Sequence, residues 1–158
     1  MTERSVAHAT FVVERTYDAA PARVFAAWAD PTAKARWFRS PEEWEPDEFE
    51  LDFRVGGREL NRGGPKGGPV YAFDGRYQDI VADERIVYTY SMHLDETLIS
   101  VSVATVELQP KGAGTRLVLT EQGAYLDGHD SSGQRQQGAG ELLDALGAEL
   151  RRESAGGR

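Results

Sequence analysis

The sequence predicts an α+β domain: a curved antiparallel sheet of seven strands, two short helices after the first strand, and a long C-terminal helix. Three observations carry this. Between Glu48 and Gln122 the chain is mostly period-two stretches separated by turn signals, the mark of consecutive antiparallel hairpins. Helical periodicity is confined to the two ends, which segregates helices from strands. In residues 131–152, Ala139, Leu142, Leu143, Leu146 and Leu150 fall at i, i+3, i+4, i+7 and i+11, one stripe of an α-helix.

Taken in order, residues 9–18 alternate, with Phe11 and Val13 on one face and Val12 and Glu14 on the other, and form the first strand. Ala19-Ala20-Pro21 ends it, and Pro21 suits the first position of a short helix whose stripe is Pro21, Val24, Phe25 and Trp28. Asp30 before Pro31 is an N-cap for a second short helix carrying Trp37 and Phe38. Phe49, Leu51, Phe53 and Val55 then alternate with Glu48, Glu50, Asp52 and Arg54 as a half-buried strand. Gly56-Gly57 turns it into a short strand over residues 58–62. Residues 63–69 are too rich in Gly and Pro for regular structure and read as a loop at the mouth of any cavity. Strands follow over residues 70–80, 85–93, 97–109 and 115–122, and residues 123–133 link the last of them to the long helix. A sheet of this size twists and curls. A helix laid across its concave face encloses a space set by side-chain bulk, which is the helix-grip arrangement.

That helix has two characters. Its second half is an apolar anchor. Its first half carries the same stripe through Gly138 and Arg135, with Gln134 and Gln137 beside them, and offers little bulk. A thin, polar half suggests a lid over a partly open interior.

With 158 residues the chain is read as a single domain over 1–158, its ordered core about 8–152. No run approaches the roughly 20 apolar residues of a membrane span. Residues 1–9 lack an apolar signal region, so a cytoplasmic location is expected. Zero cysteines exclude disulfides, a thiolate nucleophile and Cys-based metal sites. A net charge of −8 with scattered basic residues argues against nucleic-acid binding.

Candidate site residues come from the alternation. Phe53, Tyr71, Phe73, Tyr88, Tyr90 and Met92 fall on single faces of their strands. With Trp37, Glu121, Tyr125, Gly138 and Leu142 they are the expected lining of a ligand cavity, apolar with a few polar handles. Alternation places Glu121 with Leu117 and Leu119, facing inward, where desolvation beside Tyr88 or Tyr90 would raise its pKa and make it a candidate acid or base. The three histidines, His8, His93 and His129, share no metal-ligand spacing, and no metal or cofactor is expected. Asp127 and His129 fit no calcium loop and read as a turn before the helix. The glycine-rich stretch 63–69 lacks the phosphate-loop order and is followed by a strand. Arg15, Arg54 and Arg58 are expected to pair with surface acids.

Several stretches together resemble one family. Ala20-Pro21, residues 24–28, Asp30-Pro31 and Arg36-Trp37-Phe38 resemble the opening of the domain family named after the activator of the heat-shock-protein-90 ATPase. Residues 52–57, 83–88 and 114–117 look like its later signatures, and Gln137-Gly138 before residues 142–146 looks like its C-terminal helix. Where the family often has Gly-Trp, this chain has Gly138-Ala139, which would enlarge or reshape the space beneath the helix. The resemblance implies membership of the START-like (SRPBCC, birch-allergen-like) superfamily, whose members commonly bind apolar or amphipathic small molecules between sheet and helix. The expected function is therefore binding of an apolar or aromatic small molecule, without chemistry. Two alternatives stand beside it: a cavity enzyme of polyketide-cyclase or hydrolase type using Glu121 and a tyrosine, and a protein-interaction domain resembling the chaperone activators. Exposed Trp and Tyr, which pack together on such domains, make a homodimer an expected assembly.

Overall fold

The structure, a computed structural model, describes residues 4–38 and 44–156. Its elements run β1 (Val6–Tyr17), α1 (Pro21–Ala29), α2 (Pro31–Trp37), β2 (Trp44–Leu51), β3 (Arg58–Pro65), β4 (Tyr71–Val81), β5 (Arg85–Leu94), β6 (Thr97–Lys111), β7 (Gly114–Leu126) and α3 (Ser132–Gly156). The strands form one seven-stranded antiparallel sheet in the order β1-β7-β6-β5-β4-β3-β2. Every neighbour from β2 to β7 is a hairpin partner, and β1 closes against β7. This is the predicted helix-grip architecture.

Local chemistry explains the elements. Pro21 and Pro31 each open a helix where a missing N–H costs nothing, and the Asp30 side chain accepts from Thr32 N as the α2 cap. Phe11 and Val13 of β1 face the core while Val12 is exposed, as the alternation requires. On α3, Leu143, Leu146 and Leu150 are buried, each contributing on the order of 1.5–3 kcal/mol. This half of α3 lies along β1, α1 and α2. It is also tied by polar contacts: Tyr17 OH donates to Leu143 O at 2.7 Å, Arg23 to Leu150 O at 2.6 Å, and Arg36 pairs with Glu149 at 2.7 Å.

Three sequence expectations need correction. The strand expected to run through Val55 ends at Leu51, where its pairing with β3 stops. Phe53 and Val55 lie in the turn that follows, and Val55 is 58% exposed. A side chain on Gly57 would sit 2.0 Å from Asp52 O, so this tight turn needs the glycine. The loop expected over 63–69 is in part a strand: β3 continues through Gly63 and Gly64 to Pro65, because Gly63 has ladder partners in both β2 and β4. Pairing on both sides overrides poor strand propensity. Likewise β7 does not stop at Gln122 but runs to Leu126, held between β1 and β6. Residues 123–126 therefore belong to the sheet and not to a linker.

The thin half of α3 yields a first prediction. A Cβ at Gly138 would meet nothing within 4 Å, whereas one at Gly147 would meet Tyr17 Cε1 at 3.3 Å. Gly138→Ala is expected to raise stability by about 0.5–1 kcal/mol through helix propensity alone, and Gly147→Ala to gain less or lose. Urea-unfolding midpoints of the two variants check the contrast.

Candidate functional site

On the inner face of the sheet, register aligns three rows across β5, β6 and β7. They are Tyr88–Ala104–Glu121, Tyr90–Ser102–Gly123 and Met92–Ser100–Tyr125. Further along the same strands the inward residues are Val106, Leu108, Leu117 and Leu119, all buried, which fill the core solidly. The three rows, by contrast, have small side chains at their centre: Ala104, Ser102, Ser100 and Gly123. The bulk beside them comes from β4 and β5, where Phe73 stacks on Tyr90 with ring centroids 4.5 Å apart.

Arg135, in the first turns of α3, covers this floor. Its guanidinium donates to Tyr90 OH at 2.8 Å, to Ser100 Oγ at 2.7 Å and to Asp130 Oδ2 at 2.6 Å. It also lies 5.5 Å from the ring centroids of both Tyr90 and Tyr125. Tyr90 OH in turn donates to Glu121 Oε1 at 2.9 Å. Glu121 is 3% exposed, and its Oε2, 4.0 Å from Arg135, has no hydrogen-bond partner. Burial raises the Glu121 pKa above the ordinary carboxylate value, and Arg135 and the Tyr90 hydrogen bond pull it part of the way back. Burial works against the Arg135 charge, but Tyr90, Asp130 and Glu121 outweigh it and hold the group protonated. Burial likewise raises Tyr88, Tyr90 and Tyr125, so their phenols stay protonated at neutral pH.

A second buried polar node lies between α2 and the other end of the sheet. Lys34 Nζ donates to Glu59 Oε1 at 2.7 Å and to Tyr77 OH at 3.2 Å, and Tyr77 OH donates to the same Glu59 oxygen. The rings of Phe38 and Trp28 stand 4.5 and 4.9 Å from the ammonium. Burial lowers the Lys34 pKa, opposed by Glu59.

The sequence-selected residues are thus only in part brought together. Tyr88, Tyr90, Glu121 and Tyr125 meet on one floor, with Phe73 against Tyr90 and Met92 half-buried at its edge. Gly138 and Leu142 are half-buried on α3. Trp37 and Phe53 lie elsewhere: Trp37 packs on Trp28 and donates to Ala27 O, and Phe53 packs on Phe25 and Tyr77. Tyr71 is half-buried at the start of β4, opposite Leu94. His129 stays in the turn before α3, and Arg15, Arg54 and Arg58 pair with Asp144, Asp52 and Asp74 as expected. Sequence reasoning did not select Arg135, Ser100, Ser102, Asp130, Lys34 or Glu59. A signal existed for part of this: Ser100, Ser102 and Ala104 alternate with Val101 and Val103, marking a strand face with little bulk. Two open depressions lie on the outer surface instead, one across β1, β7 and β6 near Val101 and Val103, the other beside Arg58, Asp74 and His93. Among the described residues no helix is long and apolar enough to cross a membrane.

Known proteins share this architecture. A solved protein from Rhizobium loti is 49% identical, with a TM-score of 0.86 over 92% of this chain and 99% of its own. One from Rhizobium leguminosarum is 46% identical, with a TM-score of 0.91 over 96% and 100%. A third, from Chromobacterium violaceum, is 30% identical, with a TM-score of 0.74 over 89% and 96%. No curated protein matches this chain. The family profile described as Activator of Hsp90 ATPase homolog 1-like protein matches residues 18–151, the span from the end of β1 through most of α3, and the chain belongs to that family.

Proposed function

We propose that this protein binds a small apolar or aromatic molecule between α3 and the β5–β6–β7 floor, with Tyr90, Glu121, Tyr125 and Arg135 as its polar handles. The observation that carries the reading is the coincidence of small side chains below and above. Ser100, Ser102, Ala104 and Gly123 lie on the floor, and Gly138 on the helix would find open space where a side chain could stand. Aromatic and apolar walls with a few convergent polar groups are the usual makeup of small-molecule sites.

The test is native mass spectrometry of the purified protein for a co-purifying compound, with titration of the neutral fluorophore N-phenyl-1-naphthylamine. Saturable fluorescence enhancement is expected, reduced at least roughly tenfold in affinity by Gly138→Trp, whose side chain would occupy the space. Unchanged circular dichroism would show that the variant still folds. Absence of both a co-purifying compound and saturable enhancement would sink the proposal and move the search to the outer surface.

One observation favours a second reading. Glu121 is a desolvated carboxylate in hydrogen-bond contact with a tyrosine, a pairing able to move a proton to or from a bound carbonyl compound. Turnover of a bound compound that is lost in Glu121→Gln while binding persists would favour that reading over simple binding.

A further inference from the structure

We propose that the part of the ligand lying over Gly123 is an uncharged polar group with a hydrogen-bond donor beside an acceptor, as in a carboxamide, and that carboxylates and ammonium groups are rejected there. This rests on the cavity reading above and names the chemistry of its polar end.

Among the described residues, five buried side-chain atoms lack a partner: Trp28 Nε1, Glu59 Oε2, Ser102 Oγ, Glu121 Oε2 and Tyr125 OH. Three of these five belong to the same patch. Ser102 pairs directly across the ladder with Gly123, and Glu121 and Tyr125 flank Gly123 on the same face of β7. Ser102, Glu121 and Tyr125 are 1%, 3% and 2% exposed. Buried polar atoms are normally paired, so three orphans in one place mark a position where a partner belongs. Glycine at 123 is what lets these groups close on the strand: a Cβ there would lie 2.9 Å from Ser102 Oγ and 3.2 Å from Tyr125 OH, so any side chain would push the two hydroxyls out of place.

Charge then selects the partner. Arg135 already donates to Tyr90, Ser100 and Asp130, with Glu121 4.0 Å away. An anion would approach two carboxylates whose counterion is already engaged. A cation could donate to Glu121 Oε2 but would stand against the Arg135 guanidinium, 4.0 Å from that oxygen, and has no acceptor for the Tyr125 or Ser102 hydroxyl. An uncharged group can donate to Glu121 Oε2 and accept from the Tyr125 or Ser102 hydroxyl. A site built around buried hydrogen-bonding groups discriminates strongly against ligands that leave them unpaired.

The experiment is a titration at neutral pH with four probes of one shape: toluene, benzamide, benzoate and benzylamine. Binding is followed by the ¹H–¹⁵N shifts of the Gly123 and Gly138 amides. Benzamide is expected to bind at least roughly tenfold tighter than benzoate and benzylamine. Tyr125→Phe and Ser102→Ala, both mild enough to fold, should erase the advantage of benzamide over toluene. Benzoate or benzylamine binding as tightly as benzamide would overturn the head-group inference, as would toluene saturating the site with no preference among the other three. If no probe, toluene included, shifts these amides, the cavity reading fails and the head-group inference falls with it.

Discussion

Lys34→Met is expected to destabilise the protein by about 3–5 kcal/mol, and adding Glu59→Gln is expected to recover most of that loss. Lys34 and Glu59 are 1% and 2% exposed, and the ammonium is the counterion of the carboxylate. Removing it leaves the Glu59 carboxylate buried and charged, with the Tyr77 phenol on one oxygen and no partner on the other. Gln at 59 is neutral and still accepts from Tyr77, so the double variant has no charge to strand. A domain of this kind has a total stability of about 5–15 kcal/mol, so the single variant loses a large fraction of it. Urea unfolding of the wild type, both single variants and the double variant closes the cycle. A loss below about 1 kcal/mol for Lys34→Met, or a double variant weaker than the single, would show that the ion pair does not hold α2 to the sheet.

Arg135→Met should cost about 1.5–3 kcal/mol at neutral pH and less in acid. The sign follows from Glu121. Its pKa in the fold is raised, so the folded state holds the proton more tightly than the unfolded chain. The stability it contributes is fully present below the ordinary carboxylate value and is lost as pH rises through the raised value. Arg135 lowers that pKa, so its removal lifts it further and carries the loss to higher pH. Glu121→Gln removes the titration, and its stability should not fall across this window relative to the wild type. Asp74, Asp127 and Glu149 are lowered in the fold and act in the opposite direction, but they are common to every variant and cancel in the difference. Thermal midpoints of wild type, Arg135→Met and Glu121→Gln, taken in small pH steps from mild acid to neutrality, provide the comparison. Parallel profiles for wild type and Glu121→Gln would mean that the Glu121 pKa is not raised in the fold.

Much of the scaffold was legible before any coordinates. The order of strands and helices, the Pro21 and Asp30 helix starts, and the inward stripe of α3 all follow from spacing along a short stretch of chain. The inward direction of Glu121 was legible for the same reason, since side chains alternate across any regular strand. Strand ends were less legible. Gly63, Gly64, Gly123 and Ala124 are poor strand formers by composition; Gly63, Gly123 and Ala124 are in the sheet because strands on both sides pair with them, and Gly64 is held by β2.

The sequence by itself determined the architecture and the family, because hydrophobic periodicity and capping are local properties that survive without knowledge of the partners. Only the tertiary structure decided which polar groups meet. Arg135 reaches Tyr90 and Ser100 across 45 and 35 residues of chain, and Lys34 finds Glu59 across 25. No spacing rule encodes those meetings. They depend on the register of β5, β6 and β7 and on where α2 and α3 cross the sheet, and that same register brings the unpartnered oxygens of Ser102, Glu121 and Tyr125 around Gly123.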